Sequence, residues 1–217
     1  ASLLETANII KGYFAQMLGK ALELQETNGE IVLNLDESLD ELGEEGYLVE
    51  IDQQVIISAP TTTGLLYGAI SITQILYQDD SHDELPKGMI RDYPMYPIRA
   101  CMLDVGRMYF PIEYVEEIAT YMAWYKLNEL HLGTNNSRVQ TGYTAFRLEV
   151  DDEYIQPIVS KDGSYHKEAY RDFQNKVEPY GIDIITEIDT PAHSGAFANI
   201  EDGKLMMDFN HLDLRTT

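Results

Sequence analysis

From Tyr93 onward the chain runs strand, helix, strand, helix, strand, and this order limits its fold more than any other feature. A helix between two strands is the usual connection of a parallel pair, because parallel strands need a long crossover. Residues 98–104 read as the first strand. Pro111 opens a helix that sets Val115, Ile118, Met122 and Tyr125 on one face. Proline suits that place because its missing N–H would be unpaired there anyway. Residues 127–132 form the second strand. Residues 167–180 read as a helix with Tyr170, Phe173, Val177 and Tyr180 aligned, stopped by Gly181. Residues 182–188 form the third strand, an apolar run of the kind a parallel sheet buries on both faces. The fold class is therefore α/β. A complete (β/α)₈ barrel takes about 250 residues, and about half that length follows Tyr93. The strands belong either to the first part of a barrel or to a smaller doubly wound sheet.

The region before Tyr93 has a different rhythm. Leu3, Leu4, Ile10, Tyr13, Phe14, Met17 and Leu18 recur at helical spacing. Residues 31–35 alternate like a strand, and 36–45 read as an acidic, solvated loop. Residues 46–51 and 55–58 flank Asp52, Gln53 and Gln54 as a hairpin. Pro60 and three threonines then start a second helix, with Leu65, Leu66, Ala69, Ile70, Thr73 and Leu76 on its buried face. Two helices and about three strands make a small α+β domain at residues 1–88. The polar stretch 79–87 reads as a linker, and residues 89–217 as the second domain.

Charge narrows the partners. Lys and Arg total 15 against 37 Asp and Glu, a net charge of −22. That balance opposes binding to nucleic acid or to an anionic membrane, both of which need basic surface. It suits a neutral ligand such as a sugar. No stretch approaches the roughly 20 apolar residues that span a bilayer. Cys101 stands alone, so no internal disulfide forms, which leaves the compartment open. The first residue is Ala1, which fits a removed leader or tag. The expected location is outside a bacterial cell or on its surface rather than in the cytoplasm.

Polar side chains gather just after the strands. The first strand runs into Asp104 and Arg107, and the second into His131 and Thr134–Ser137. The third runs into Glu187 and Asp189, followed by Thr190, Pro191, Ala192, His193 and Ser194. Parallel α/β folds bind ligands at the carboxyl ends of their strands, so these groups converge. Each also has a plain structural reading. Asp104 and Arg107 pair as a salt bridge or cap the next helix. The Asp189–Pro191 stretch is ordinary turn chemistry. His131 fits a core histidine, whereas His193 follows a carboxylate-rich strand end and reads as functional. The segment 133–166 lacks periodicity, and loops of that length are commonly functional or disordered.

Three blocks resemble glycoside hydrolase family 20, the β-N-acetylhexosaminidases. Residues 98–107, Ile-Arg-Ala-Cys-Met-Leu-Asp-Val-Gly-Arg, are similar to the family's first barrel strand, R-x-x-x-L-D-x-x-R. Residues 125–132 resemble its second strand, and 187–194, Glu-Ile-Asp-Thr-Pro-Ala-His-Ser, its P-E-I-D-x-P-G-H-S block. Residues 46–51 and 64–68 resemble the small α+β domain that precedes the barrel.

The resemblance implies the amino-terminal part of a TIM (β/α)₈-barrel enzyme that removes terminal β-linked N-acetylhexosamine. In that family the substrate's own acetamido oxygen attacks the anomeric carbon. An Asp steadies the acetamido group, and the adjacent Glu protonates the leaving oxygen. The resemblance assigns Arg99 to the sugar hydroxyls. It assigns His193 and Asn136 to the hydrogen-bond chain supporting the acid, with Asn136 where the family usually has Asp. Thr186, Ala192 and Gly133 replace its usual Pro, Gly and His. The partner it implies is a carbohydrate, with no cofactor and no metal. The family's Asp–Glu block, H-x-G-x-D-E, occurs nowhere in the 217 residues, so this chain alone is expected to be inactive. An unpaired apolar strand edge predicts self-association. Two alternatives stay open: a non-catalytic glycan- or partner-binding relative, and a metal-dependent hydrolase using His131, Glu187, Asp189 and His193.

Overall fold

A computed structural model describes residues 2–27, 29–137 and 145–215. The chain divides into two compact units. The first comprises Ala1–Pro97 with Ala123–Lys126 and Glu178–Gly181; the remainder forms the second.

The first unit opens with α1 (Leu3–Leu18). Ser2 caps it, accepting from the Glu5 amide at 3.2 Å while Glu5 accepts from the Ser2 amide at 3.3 Å. This reciprocal pair satisfies two otherwise orphaned N–H groups. Gly19, at φ +67°, ends the helix in a conformation that favours glycine. Ile10, Tyr13, Phe14 and Leu18 are buried as the periodicity predicts, whereas Leu3 and Leu4 at the first turn are exposed. Four strands follow: β1 (Ile31–Leu35), β2 (Tyr47–Ile51), β3 (Val55–Ala59) and β4 (Gly88–Asp92). Their order is β1-β3-β2-β4, with β1 and β3 parallel and the other pairs antiparallel. The acidic stretch after β1 winds into a short 3₁₀ helix, Glu37–Leu42, that buries Leu42. The helix α2 (Thr62–Gln78) packs on α1 and on the sheet. Leu65, Leu66, Ile70 and Ile72 from it join Val49 and Ile57 in the core. The strand β4 is absent from the sequence reading, and it lies past the boundary drawn at residue 88. As an edge strand it buries little, so it lacks the alternation that marks a half-buried strand.

The second unit carries β5 (Ala100–Asp104), α3 (Ile112–Trp124) as far as Met122, β6 (Glu129–Gly133), α4 (Lys167–Val177) and β9 (Asp183–Glu187). Between β6 and α4 lie two short strands, β7 (Asn135–Asn136) and β8 (Ala145–Phe146). The three long strands are parallel in the order β5-β6-β9. Leu130 and Leu132 bury one face, together with Val115, Ala119, Phe173 and Val177. The opposite face carries Met102, His131 and Ile185, side by side in register. On that face Met102 is 55% and Ile185 44% exposed, so β9 is not buried on both sides as its apolar run suggests. No layer covers it among the described residues. The segment 133–166 is ordered where it is described. Phe146 and Ile158 form a small core with Ala196 and Ile200, and Leu148 bridges Tyr165. Its elements are two or three residues long, too short to show a period. Part of it, residues 138–144, lies outside the described residues.

Candidate active site

Strand register brings the polar groups together. Asp104, Gly133 and Glu187 are neighbours across the carboxyl ends of β5, β6 and β9. Past that line the chain is tied by side-chain hydrogen bonds rather than by the sheet. The Thr134 hydroxyl donates to the Glu187 carbonyl at 2.6 Å. Asn135 binds the loop after β9 with both ends of its amide. Its Oδ1 accepts from the Asp189 amide at 2.7 Å, and its Nδ2 donates to the Asp189 and His193 carbonyls at 2.9 and 3.1 Å. Ser137 accepts from the Gly195 amide at 2.8 Å. The loop after β9 is thus pinned to the end of β6 at three places.

His193 is the centre of this loop. Its φ is +54°, a left-handed conformation that costs a non-glycine residue about 1–2 kcal/mol. Such strain persists only where the surroundings over-determine it. Here the Asn135 contact holds the carbonyl, and the ring Nδ1 lies 2.5 Å from Asp189 Oδ2. Facing a carboxylate, Nδ1 acts as the donor, which leaves Nε2 to accept or pass a proton. Asn136 is 5% exposed and pairs with Ala145 in the β7–β8 ladder, one residue from Asn135. On the strand faces, His131 Nε2 meets Glu187 Oε2 at 2.7 Å. A side chain at Gly133 would start 3.3 Å from the Met102 methyl and 3.6 Å from the Glu187 carboxylate. Glycine leaves that space open.

The two arginines of the first block lie at opposite ends of β5. Arg107 follows its carboxyl end, where its amide donates to Asp104 Oδ1 at 2.8 Å and its guanidinium pairs with the same carboxylate. Arg99 precedes the strand. Its amide donates to Asn128 Oδ1 at 2.8 Å, and its carbonyl accepts from the Asn128 amide at 3.0 Å, at the amino end of the sheet. At about 3.3 Å per residue, five residues separate its backbone from Asp104 by roughly 16 Å. Of the site residues named from the sequence, His193 and Asn136 stand at the carboxyl ends together, while the Arg99 backbone sits at the amino end of β5 with a guanidinium nitrogen buried. The sequence marks Asn135 only within the run 134–137 and does not mark Arg147. Doubled polar residues directly after a strand were the available signal for the first.

The metal alternative needs one cluster, and the structure makes two separate pairs, His131–Glu187 and Asp189–His193. Among the described residues no three His, Cys, Asp or Glu side chains are grouped to hold a metal. Among them, too, no helix is long and apolar enough to cross a membrane.

Comparison with known proteins decides the family. The profile described as glycosyl hydrolase family 20, catalytic domain, matches residues 96–212, and that of the family's domain 2 matches residues 1–93. The chain belongs to glycosyl hydrolase family 20. It is 28% identical over 180 residues to a β-hexosaminidase of Akkermansia muciniphila, a match covering 79% of this chain and 36% of that protein. Among solved structures it is similar to the family 20 β-N-acetylhexosaminidase of Streptomyces coelicolor, at 27% identity and a TM-score of 0.75. That match covers 96% of this chain and 45% of the other. The exo-β-N-acetylglucosaminidase of Vibrio harveyi, at 20% identity and a TM-score of 0.78, shares the fold over 98% of this chain and 37% of its own. The chain thus spans about a third of the length of the curated relatives it matches. The parallel sheet β5-β6-β9 is the first part of a family 20 (β/α)₈ barrel, and the doubly wound alternative falls away.

Proposed function

We propose that the protein containing these residues is an exo-acting β-N-acetylhexosaminidase. Family membership and the β-hexosaminidase relatives support a glycoside hydrolase that removes N-acetylhexosamine. The observation that carries the reading here is the Asp189–His193 pair, held in a strained loop against Asn135 at the carboxyl ends of the strands. Barrel enzymes place their chemistry at that end.

On this reading the substrate's acetamido oxygen is the nucleophile. A tethered oxygen loses little entropy in reaching the anomeric carbon. His193, oriented by Asp189, takes part in the hydrogen-bond chain that supports the proton donor, and Asn136 stands in the same chain. A neutral amide there orients a partner without adding the negative charge that a carboxylate would bring. Arg99, in the block similar to the family's first barrel strand, is the arginine for the sugar hydroxyls. The proton donor and the group that steadies the acetamide come from a block that these 217 residues do not contain.

A second reading, a glycan-binding relative without turnover, draws on the buried Asn136 in place of a carboxylate. One assay separates the two. The full-length protein and the 217-residue chain are each given a chromogenic β-N-acetylglucosaminide, with an oxazoline-mimicking inhibitor as control. The expected result is inhibitor-sensitive turnover by the full-length protein and none by the chain. An inert full-length protein sinks the hydrolase reading, and turnover by the chain alone sinks the assignment of the missing block.

A further inference from the structure

Asn135 is 4% exposed and spends its whole side-chain amide on the loop after β9. Its Oδ1 accepts from the Asp189 amide at 2.7 Å, while its Nδ2 donates to the Asp189 and His193 carbonyls at 2.9 and 3.1 Å. All three partners are main-chain groups of fixed polarity, so the amide has only one orientation. Asp189 and His193 are also the two residues whose side chains meet. One amide therefore clamps both ends of the turn that carries the pair.

The clamp stands on a fixed base. The amide and hydroxyl of Thr134 both donate to the Glu187 carbonyl, at 3.1 and 2.6 Å. The Thr134 carbonyl accepts from the Arg147 amide at 2.9 Å, and Asn135 pairs with Phe146 in the β7–β8 ladder. Arg147 is fully buried, and its guanidinium donates to the Val105, Gly106 and Gly163 carbonyls at 2.9, 3.0 and 2.8 Å and to the Asp162 carboxylate. The turn has one further tie in Ser194, whose hydroxyl donates to the Ala192 and Asp189 carbonyls at 3.0 and 3.2 Å. That tie is local, so it shapes the turn without fixing it against β6.

We propose that Asn135 is a positioning residue for the Asp189–His193 pair: its amide holds the His193 backbone in the left-handed conformation that sets the ring on Asp189. This rests on the hexosaminidase reading, in which His193 supports the proton donor. At φ +54° a residue with a side chain relaxes unless its surroundings hold it, and the His193 carbonyl is the group that Asn135 holds. The chemistry calls for an amide. An ionised carboxylate of the same shape keeps the bond from the Asp189 amide, but it sets oxygen against two carbonyl oxygens where Asn135 has a donor. Protonated, it restores one of those two bonds. This separates Asn135 from Asn136, the neighbour at which the resemblance expects a carboxylate.

The test uses the full-length protein with Asn135→Asp and Asn135→Ala, and with Tyr47→Phe as a control that removes a hydrogen-bonded hydroxyl from the first unit. Three readouts are taken: kcat and KM on the chromogenic glycoside, the urea midpoint, and the low-field proton resonance of His193 Nδ1, assigned with His193→Gln. Both Asn135 variants should lower kcat about ten-fold and change KM less than about two-fold, because the pair serves the proton donor rather than sugar binding. The His193 resonance should move upfield or vanish in both. Tyr47→Phe should lower the urea midpoint and leave kcat and the resonance alone, which tells lost stability from lost positioning. An unmoved resonance in a folded Asn135 variant overturns the proposal, and so does a loss confined to KM. If neither variant folds, exchange of the Asp189 amide in the wild type decides, since its acceptor is Asn135: slow exchange supports the clamp and fast exchange overturns it. If the wild type shows no turnover, the hydrolase reading fails, and the resonance still decides whether Asn135 holds the pair.

Discussion

At the scale of single residues, the Arg147–Asp162 pair makes stability depend on acidity. The hydrogen bonds from Arg147 hold the Asp162 carboxyl below the ordinary carboxylate range, against a smaller opposing effect of burial. A carboxyl depressed in the folded state binds its proton more readily when unfolded. Its stabilisation is therefore complete above the unfolded value of about 3.9, and it is lost as pH falls through the lower folded value. Asp162→Asn removes this dependence and leaves Arg147 buried without its counter-charge, which destabilises at neutral pH. Urea unfolding of wild type and Asp162→Asn from neutral to acid pH should show a gap that is constant above about pH 5 and narrows below pH 4. A gap that stays constant down to the acid limit would mean that the pair carries no charge-dependent stability. The Asp162 side chain is 38% exposed, so the change in the gap is modest. Asp213 and Arg215 form a comparable pair at the surface, with the Asp213 carboxyl held down to about 2 by the Arg215 hydrogen bonds, but solvent screens it.

Among the elements, the junction of β5, β6 and the long segment depends on glycine. A methyl group at Gly106 would lie 2.9 Å from the Asn135 backbone carbonyl, which cannot swing aside. At Gly163 it would lie 2.4 Å from the Tyr109 ring, and the backbone there sits at φ +147°. Gly12 in α1 has nothing within 4 Å of such a methyl and an ordinary helical backbone. Alanine at Gly106 or Gly163 should thus destabilise by about 1–3 kcal/mol, whereas Gly12→Ala should stabilise by roughly 0.5–1 kcal/mol. Urea midpoints of the three variants check this, and equal shifts at all three positions would refute the packing argument. The same contrast explains what the sequence reveals. The helices and β5, β6 and β9 declare themselves by period and caps, because each repeats one environment over several residues. The strand β4 and the segment 133–166 do not, since an edge strand and two-residue strands repeat nothing. The candidate site is half legible for a related reason. His193 and Asn136 follow strands that periodicity locates, so their convergence can be read. Arg147 acts through carbonyl groups, which leave no mark in a sequence. Arg99 is named by the resemblance of its block alone, because periodicity gives an arginine before a strand no mark of its own.

For the whole molecule, two opposing terms set the behaviour of the 217-residue chain in solution. The strands β5 and β9 each pair on one side only among the described residues, and the face between them exposes Met102 and Ile185. Ile98 and Ile188, just beyond β5 and β9, are also exposed. An unpaired edge beside apolar surface is a template for another chain. Against this stands a net charge of −22, which makes copies repel one another. The repulsion reaches about 30 Å at 0.01 M salt and about 3 Å at 1 M, while edge pairing and apolar contact act at touching distance. Association should therefore be weak at low ionic strength and grow with both salt and protein concentration. Sedimentation equilibrium across that salt range is the measurement. A mass near 24.7 kDa at low salt that rises at high salt is the expected outcome. A constant monomer under all conditions would show that the edge is shielded by its own twist and charges. Association that weakens as salt is added would show instead that ionic contacts, not the open sheet, bring the copies together.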